Sequence, residues 1–251
     1  MGNSTNAQIL FLMSLLLLDC PVCESECTVK NGSPHHKKTK LKCQNCGGHF
    51  IKHSTKKSIS NQTKHFIDKL LLEKLSLAGI ARVTGVSEKC LQDYVNTKYA
   101  QTPRQVFLNS KKGKIVIQGD EAWSFVGNNN NKPWIRLALD VNTKEIAGVY
   151  LGDRGELGAK GLWESLPAVY RQCAVCYTDF WEAYAKLLPQ KKHQPVGKET
   201  GFTNLVERFN NTLRQRFSRL VRTTLSFSKK WENHLGTIWN FVHHYNASLA
   251  V

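Results

Sequence analysis

The sequence predicts an α/β protein in which a cysteine-rich unit and a helix-turn-helix precede a mixed sheet with covering helices. Three observations carry this prediction. Two Cys-x-x-Cys pairs lie within residues 19–53, and two short helical patterns meet at a Gly-containing turn within residues 64–100. Strand, hairpin, helix, strand and helix patterns then follow one another over residues 114–246. Such a succession is typical of a sheet that is covered by helices.

The composition favours a polyanionic partner. The 251 residues contain 35 Lys and Arg against 19 Asp and Glu, a formal net charge of +16, and 41% of the residues are hydrophobic. That apolar fraction is typical of a folded chain. The charge excess indicates nucleic-acid binding, because each neutralised phosphate releases counterions. A basic protein that is merely soluble is the alternative.

An apolar stretch, residues 9–18, lies close to the start of the chain. It has the hydrophobicity of a signal peptide, but no basic residue precedes it and no small-x-small cleavage site follows it. It is also too short to span a bilayer, which takes about 20 residues. We therefore expect residues 1–18 to be an extension, and the protein to be cytoplasmic and nucleoid-associated, with no membrane partner.

The cysteine-rich unit, residues 19–53, has the ligand spacing of a structural zinc site. Its two knuckles are Cys20-x-x-Cys23 and Cys43-x-x-Cys46. Knuckles of this kind place four thiolates around one tetrahedral Zn²⁺ ion. A disulfide framework is the alternative, and it requires an oxidising compartment. The spacing therefore favours one structural zinc ion.

Residues 64–100 predict a helix-turn-helix. Ser76 and Ser87 are placed to cap two short helices that a Gly-containing turn separates. The second helix of such a motif enters the major groove, which assigns base contacts to Lys89 and Gln92 near its start. A plain helical hairpin has the same spacing. The neighbouring knuckles and the charge excess favour DNA binding.

Three acidic residues of the third part lie where strands end or a helix begins. Asp120 follows an apolar strand pattern, Asp179 ends a later one, and Glu207 falls in the first turn of a long helix. Open sheets assemble ligand sites at such strand ends. Three carboxylates there would hold two Mg²⁺ or Mn²⁺ ions about 3.5–4 Å apart, because hard cations prefer oxygen ligands. Taken singly, each acid is more often a strand-end or solvated residue.

The long helix around Glu207 also predicts contacts with phosphate. At about 100° per residue, its polar side chains form two stripes: Glu207, Asn210 and Arg214, then Arg208, Arg219 and Arg222. The first stripe would aim a carboxylate at the sheet edge, with Asn210 and Arg214 contacting substrate or ordering the site. The second offers Arg to phosphate. A salt-bridged surface helix is the alternative, but basic residues greatly outnumber acidic ones over 208–230.

Several short motifs occur in order along residues 19–246. They are Cys-Pro-x-Cys, Ala81-Arg82-Val83-Thr84-Gly85-Val86-Ser87, Asp120-Glu121-Ala122-Trp123, Thr178-Asp179-Phe180-Trp181, Glu207-Arg208-Phe209-Asn210 and Thr224-Leu225-Ser226-Phe227-Ser228-Lys229. Together they resemble the transposases of the insertion-sequence-one family. Any one motif is weak, but their number and order make the resemblance specific.

The resemblance implies an RNase H-like catalytic domain whose Asp-Asp-Glu triad is Asp120, Asp179 and Glu207. It further implies Mg²⁺-dependent strand cleavage and joining at terminal inverted repeats, with target DNA as the second partner. It favours Asp120 over Glu121, which strand alternation sends to the opposite face. Because two DNA ends must meet, we expect a homo-oligomer on DNA.

The chain departs from the family in its residues 1–18, which lie outside the resemblance, and in its reading frame. The family commonly encodes its DNA-binding and catalytic halves in two overlapping frames, whereas this chain is continuous. The alternative function is a DNA-binding repressor with a catalytically inert RNase H-like domain. The intact acidic residues weigh against that alternative.

Overall fold

A computed structural model describes residues 19–32, 39–51, 59–108, 114–128, 130–180, 182–220 and 226–249. The expected extension, residues 1–18, and one expected DNA contact, Arg222, lie outside these residues. The described residues form two compact units, which fall within Met1–Leu70 and Ile80–Cys90 and within Leu71–Gly79 and Leu91–Val251. None of the helices in these ranges is long and apolar enough to cross a membrane.

The N-terminal part of the first unit is a small antiparallel sheet that carries the cysteine knuckles. Its strands, in spatial order, are β1 (Thr28–Lys30), β2 (Lys40–Cys43) and β3 (His49–Ile51). Gly47 has φ +70° and donates its N–H to the Cys43 carbonyl at 3.0 Å, a turn that glycine adopts without strain. Cys20, Leu41 and Cys43 are buried. The three short antiparallel strands make this part ribbon-like, and two of its three named buried side chains are cysteines.

Three helices follow the ribbon-like sheet: α1 (Asn61–Leu70), α2 (Leu77–Thr84) and α3 (Glu88–Gln101). Both predicted caps are present, because Ser76 Oγ accepts the Gly79 N–H at 3.0 Å and Ser87 Oγ accepts the Cys90 N–H at 3.4 Å. Gly85, with φ +67°, makes the turn between α2 and α3. The predicted helix-turn-helix elements are therefore confirmed.

A five-stranded mixed sheet dominates the second unit. Its strands are β4 (Val116–Trp123), β5 (Trp134–Asp140), β6 (Ile146–Gly152), β7 (Val175–Thr178) and β8 (His193–Pro195). Their spatial order is β6-β5-β4-β7-β8, with β4, β5 and β6 antiparallel and β7 and β8 parallel to β4. A three-stranded meander extended by two parallel strands in this order is the RNase H-like arrangement, as predicted.

Helices cover both faces of this sheet. They are α4 (Glu156–Ser165), α5 (Ala168–Cys173), α6 (Glu182–Leu187), α7 (Asn204–Arg216) and α8 (Trp231–Ser248). On one face, Leu137 packs in a buried cluster with Phe209 of α7 and Val242 of α8. On the other, Ala138 lies in a second cluster with Leu162 and Tyr184. Each large apolar side chain buried this way contributes about 1.5–3 kcal/mol.

Several boundaries depart from the sequence patterns. The sequence pattern predicts one helix over residues 160–169. The structure has α4 and α5 instead, because Pro167 holds the preceding residue in an extended conformation, with ψ 139°. The sequence also predicts a helical stretch from Asn204 to about Tyr245 with an interruption near Ser226. In the structure the first break comes earlier, at Phe217.

The apolar run around Cys173 and Cys176 predicts a strand with two buried thiols. Cys176 is buried in β7, but Cys173 ends α5 and is exposed, so the prediction for Cys173 was wrong.

Candidate catalytic site and metal centre

The four knuckle cysteines converge. Every pair of their sulfur atoms lies within 4.8 Å, with 3.5 Å between Cys20 and Cys46 and 3.6 Å between Cys23 and Cys43. All four are free thiols. Zn–S bonds of about 2.3 Å in a tetrahedron put sulfur atoms about 3.8 Å apart, so the spacing suits one zinc ion.

The pKa values of these thiols shift in different directions: despite a backbone hydrogen bond from Ser25, burial and the neighbouring thiols raise the pKa of Cys23, whereas that of Cys43 is lowered. A hydrogen bond from the backbone of Cys46, helped by one from Asn45, lowers the pKa of the Cys43 thiol to about 6. Thiolates are soft donors that select zinc over hard cations. The cluster could therefore hold a structural zinc ion.

The register of the second sheet aligns two of the predicted acids. Parallel strands β4 and β7 pair with Gln118 opposite Tyr177. Two residues further along, that register places Asp120 level with Asp179, which directly follows the last residue of β7. Both carboxylates therefore lie toward the carboxyl ends of adjacent strands at the centre of the sheet, where such folds bind ligands.

Helix α7 brings the third acid to this edge. Burial raises the pKa of the Asp120 carboxyl, and the charges of Glu207 and Asp179 raise it further. The Asn210 amide opposes them by donating its Nδ2–H to Asp120 Oδ2 at 2.6 Å. The charges of Glu207 and Asp179 thus both act on Asp120, and Asn210, one turn after Glu207, orients that carboxylate.

A side chain from β4 caps the helix that carries Glu207. Gln118 Oε1 accepts the N–H groups of Leu205 and Val206 at 3.0 and 3.1 Å. Thr203, at the N-cap position, makes no capping bond with its side chain and instead donates Oγ1–H to Glu207 Oε1 at 2.8 Å. One strand therefore carries Asp120 and, two residues earlier, the group that fixes the start of α7.

Glu121 occupies the opposite face of β4, as strand alternation predicts. Its carboxylate lies 3.7 Å from both the Arg136 and Arg154 side chains, and Tyr184 donates its hydroxyl hydrogen at 3.3 Å. Burial, followed by Asp179, raises the pKa of Glu121, and Arg136 opposes that shift. Because Arg136 is fully buried, Glu121 serves to neutralise an interior cation.

The acid cluster differs from a single-ion site. Among the described residues, the knuckle cysteines are the one group of three or more potential ligands whose ligand atoms all lie within 4.8 Å. The three carboxylates do not form such a group. Asn210 donates a hydrogen bond to Asp120, and Thr203 donates one to Glu207. Two ions about 3.5–4 Å apart do not need all ligands to meet at one point. An all-oxygen donor set fits Mg²⁺ or Mn²⁺.

The side chains predicted to contact DNA differ in exposure. Lys89 and Arg208 are exposed, Gln92, Arg214 and Arg219 are half-buried, and Asn210 is buried. Arg219 lies on a short 3-10 helix, Ser218–Leu220, rather than on α7. Sequence reasoning missed Gln118 and Thr203. A polar residue two positions before Asp120 on a buried strand face was the available signal for Gln118.

Sequence comparison with known proteins identifies the family of this chain. A protein-family sequence model described as IS1 transposase matches residues 114–246, just over half of the chain. The Shigella dysenteriae insertion element iso-IS1n protein InsB is 32% identical over 128 residues, 51% of this chain and 94% of that protein. The Escherichia coli (strain K12) insertion element IS1 4 protein InsB is 32% identical over 143 residues, 56% of this chain and 83% of that protein.

Two solved structures align more distantly. The HTLV-2 integrase catalytic core domain in complex with magnesium gives a TM-score of 0.30 at 17% identity, over 38% of this chain and 64% of that one. A chain of a simian T-cell lymphotropic virus intasome gives a TM-score of 0.30 at 16% identity, over 55% of this chain and 54% of that one. This chain covers less than two thirds of the length of each of these two structures. The order of the strands identifies the RNase H-like fold. By its matched domain and its 32% identity across nearly all of a relative, the chain belongs to the IS1 transposase family.

Proposed function

We propose that the protein is a DNA transposase that binds terminal inverted repeats and catalyses divalent-metal-dependent strand cleavage and strand transfer. One observation carries the proposal. Asp120 is level with Asp179 on parallel strands, and Gln118 of the same strand caps the helix that bears Glu207. Both contacts support the proposal that three carboxylates from distant parts of the chain act together at one sheet edge.

Asp120, Asp179 and Glu207 would hold two Mg²⁺ or Mn²⁺ ions. When bound, such ions activate a water or a 3′-hydroxyl on one side of a phosphate and stabilise the leaving oxygen on the other. Burial and the charges of Glu207 and Asp179 raise the pKa of Asp120. A bound cation would offset this unfavourable charge, so the three carboxylates suit divalent ions. The protein contributes by holding the oxygens in place before ions and substrate bind.

Nearby side chains have separate roles in this proposal. Asn210 is buried against Asp120 and Thr203 bonds Glu207, so both orient ligands rather than touch DNA. Arg208 is exposed on the same helix, and Arg214 lies two turns after Glu207. We assign these two arginines to phosphate, which guanidinium groups bind bidentately.

The N-terminal elements would select the DNA. One Zn²⁺ on the four knuckle cysteines would hold the ribbon-like sheet, and α3 would present Lys89 and Gln92 to base edges. Because transposition joins two ends, we assign a homo-oligomer on DNA, acting at the nucleoid on both the repeats and a target duplex.

Glu207→Gln tests the proposal. The amide keeps the size of the side chain but loses the charge that a divalent ion requires. We expect nicking of an inverted-repeat duplex in Mg²⁺ to fall by about 10³-fold or more, since loss of a metal ligand costs several kcal/mol of barrier. DNA affinity should stay near the wild-type value.

Matched variants separate this function from that of an inert repressor. Asp120→Asn and Asp179→Asn should lose nicking as Glu207→Gln does, and double variants should be little worse, because the triad acts as a unit. A wild-type chain that binds repeats but nicks none of them in Mg²⁺ or Mn²⁺ would establish the repressor instead. Near-normal nicking by Glu207→Gln would refute the triad.

A further inference from the structure

A groove lined by both polar and apolar residues opens on the second unit, and the triad uses none of them. Its volume is about 490 Å³. The lining combines the start of α2, the first turns of α3, the 3-10 helix Ser218–Leu220 and residues 226–233. Apart from Arg219 and Gln92, none of the residues lining it was expected to contact DNA.

Three cations line this groove: Arg219, Lys229 and Lys230. No acidic side chain of the described residues lines it with them. The Arg219 guanidinium lies 5.9 Å from the centre of the Tyr99 ring and donates to the Ser228 and Thr237 hydroxyls at 3.4 Å. These neighbours are neutral and fix its position, and within the described ranges Arg219 forms no ion pair with an acidic side chain.

Neutral donors surround the cations. Gln92, Asn96 and Asn233 contribute amides, and Ser218 and Ser226 contribute hydroxyls. Helix α8 also begins here, with Lys230 at its N-cap and no side-chain cap on its first N–H groups. Arg, Lys, Ser, Asn and Gln side chains with helix N-termini are the groups that contact the phosphates of DNA.

The groove is tied to the segment that follows the catalytic strand. Gly127 donates its N–H to the Ser228 carbonyl at 2.9 Å, and the rings of Phe125 and Phe227 lie 5.3 Å apart. This pairing connects residues 226–230 to the chain only a few residues after Asp120. A duplex held in the groove would therefore be held by the framework that supports the site.

We propose that this groove seats the phosphodiester backbone of the DNA on which the transposase acts. The inference rests on the proposed function and deepens it, because it assigns Lys229 and Lys230, inside the Ser-Phe-Ser-Lys motif and next to it, to phosphates. The contacts are to backbone, so the groove adds affinity for any sequence and leaves base choice to other residues.

The double variant Lys229→Gln/Lys230→Gln tests the groove. Affinity for a labelled repeat duplex and for an unrelated duplex is measured by fluorescence anisotropy over a salt series. Each lost phosphate contact should reduce the slope of log K against log salt by about 0.9, and should weaken binding roughly tenfold at about 0.1 M salt. We expect a slope change of about 1.8, equal for both duplexes.

Lys160→Gln/Lys186→Gln is the matched control, because it removes the same charge from lysines that already pair with Glu164 and Glu156. It should leave affinity and slope nearly unchanged. Thermal melting of both double variants checks that the chain stays folded. An equal loss in both would show that only total charge matters and would overturn the groove.

Two further results decide the source of the phosphate. Inorganic phosphate should displace DNA no better than chloride at the same ionic strength. Specific displacement by phosphate, with unchanged DNA affinity in the groove variant, would identify a free-anion site and refute the proposal. If wild-type protein binds and nicks repeats while the groove variant binds equally well, the groove fails and the transposase stands. If the wild type does neither, both proposals fail.

Discussion

The two candidate metal centres of this protein are built in opposite ways. The thiol cluster comes from two knuckles on one small sheet, and its sulfur atoms already lie within 4.8 Å of one another. The acid cluster comes from β4, the end of β7 and α7, so that Asp120 and Glu207 are 87 positions apart in the sequence. Short spacing assembles the first centre, whereas the second depends on strand register and on a cap between distant elements.

Removing zinc should have the larger consequence for folding. The ribbon-like sheet has little apolar core, and structural zinc contributes on the order of 10 kcal/mol to units of this kind. We expect about one zinc per chain, and we expect chelation or Cys43→Ser to abolish the protection of β1–β3 amides from hydrogen exchange while β4–β7 stay protected. Metal analysis and segment-resolved exchange measure both.

Cys27→Ser is the control for that experiment. Cys27 is exposed and does not belong to the cluster, so its variant should keep zinc and protection. Metal-free wild-type protein with Cys20 and Cys43 in disulfides would contradict a zinc centre and restore the oxidised alternative.

Adjacent acids on β4 should respond in opposite ways to loss of charge. Glu121→Gln relieves the burial that raises the pKa of Glu121, but it leaves fully buried Arg136 without its carboxylate, and an arginine cannot lose its proton. The loss of the ion pair is the larger effect, so the variant should be less stable by roughly 3 kcal/mol. Asp120→Asn should leave metal-free protein equally or more stable at neutral pH. The pKa of Asp120 is raised in the folded state, so its charged carboxylate destabilises the fold at pH values above its normal pKa. The stability gained by Asp120→Asn therefore disappears in acid, where Asp120 is already protonated.

Urea unfolding at neutral and acidic pH measures this difference, with nicking as the second readout. Glu121→Gln should still nick DNA at a temperature where it is folded, whereas Asp120→Asn should not. A stable but inactive Glu121→Gln protein would transfer the catalytic role to Glu121.

The sequence predicted what depends on local pattern. Knuckle spacing, the Ser76 and Ser87 caps and the alternation that separates Asp120 from Glu121 each follow from a few neighbouring residues. The edge strand β8 was missed because it is three residues long and contains Pro195, a residue that is rare in strand interiors. The groove around Lys229 was missed because its walls come from segments more than 100 residues apart.

Gln118 is the residue on which the acid cluster depends without being an acid. Its amide oxygen accepts two N–H groups at the start of α7, and the side chain is 4% exposed. Gln118→Leu would leave both N–H groups without that acceptor, which costs about 1–3 kcal/mol. Because α7 would no longer be fixed to β4, Glu207 would be placed less accurately relative to Asp120. We expect nicking to fall about tenfold, the size of a modest loss of orientation.

A positioning role can be separated from a loss of stability. Gln118→Leu should raise the Mg²⁺ concentration that gives half-maximal nicking, since two ligands are less well aligned, while DNA affinity stays constant. Ile238→Val, a buried change in α8 that costs about 1 kcal/mol, should lower stability without moving the Mg²⁺ requirement. An unchanged Mg²⁺ requirement in Gln118→Leu would mean that Gln118 only stabilises the fold and that other contacts position Glu207.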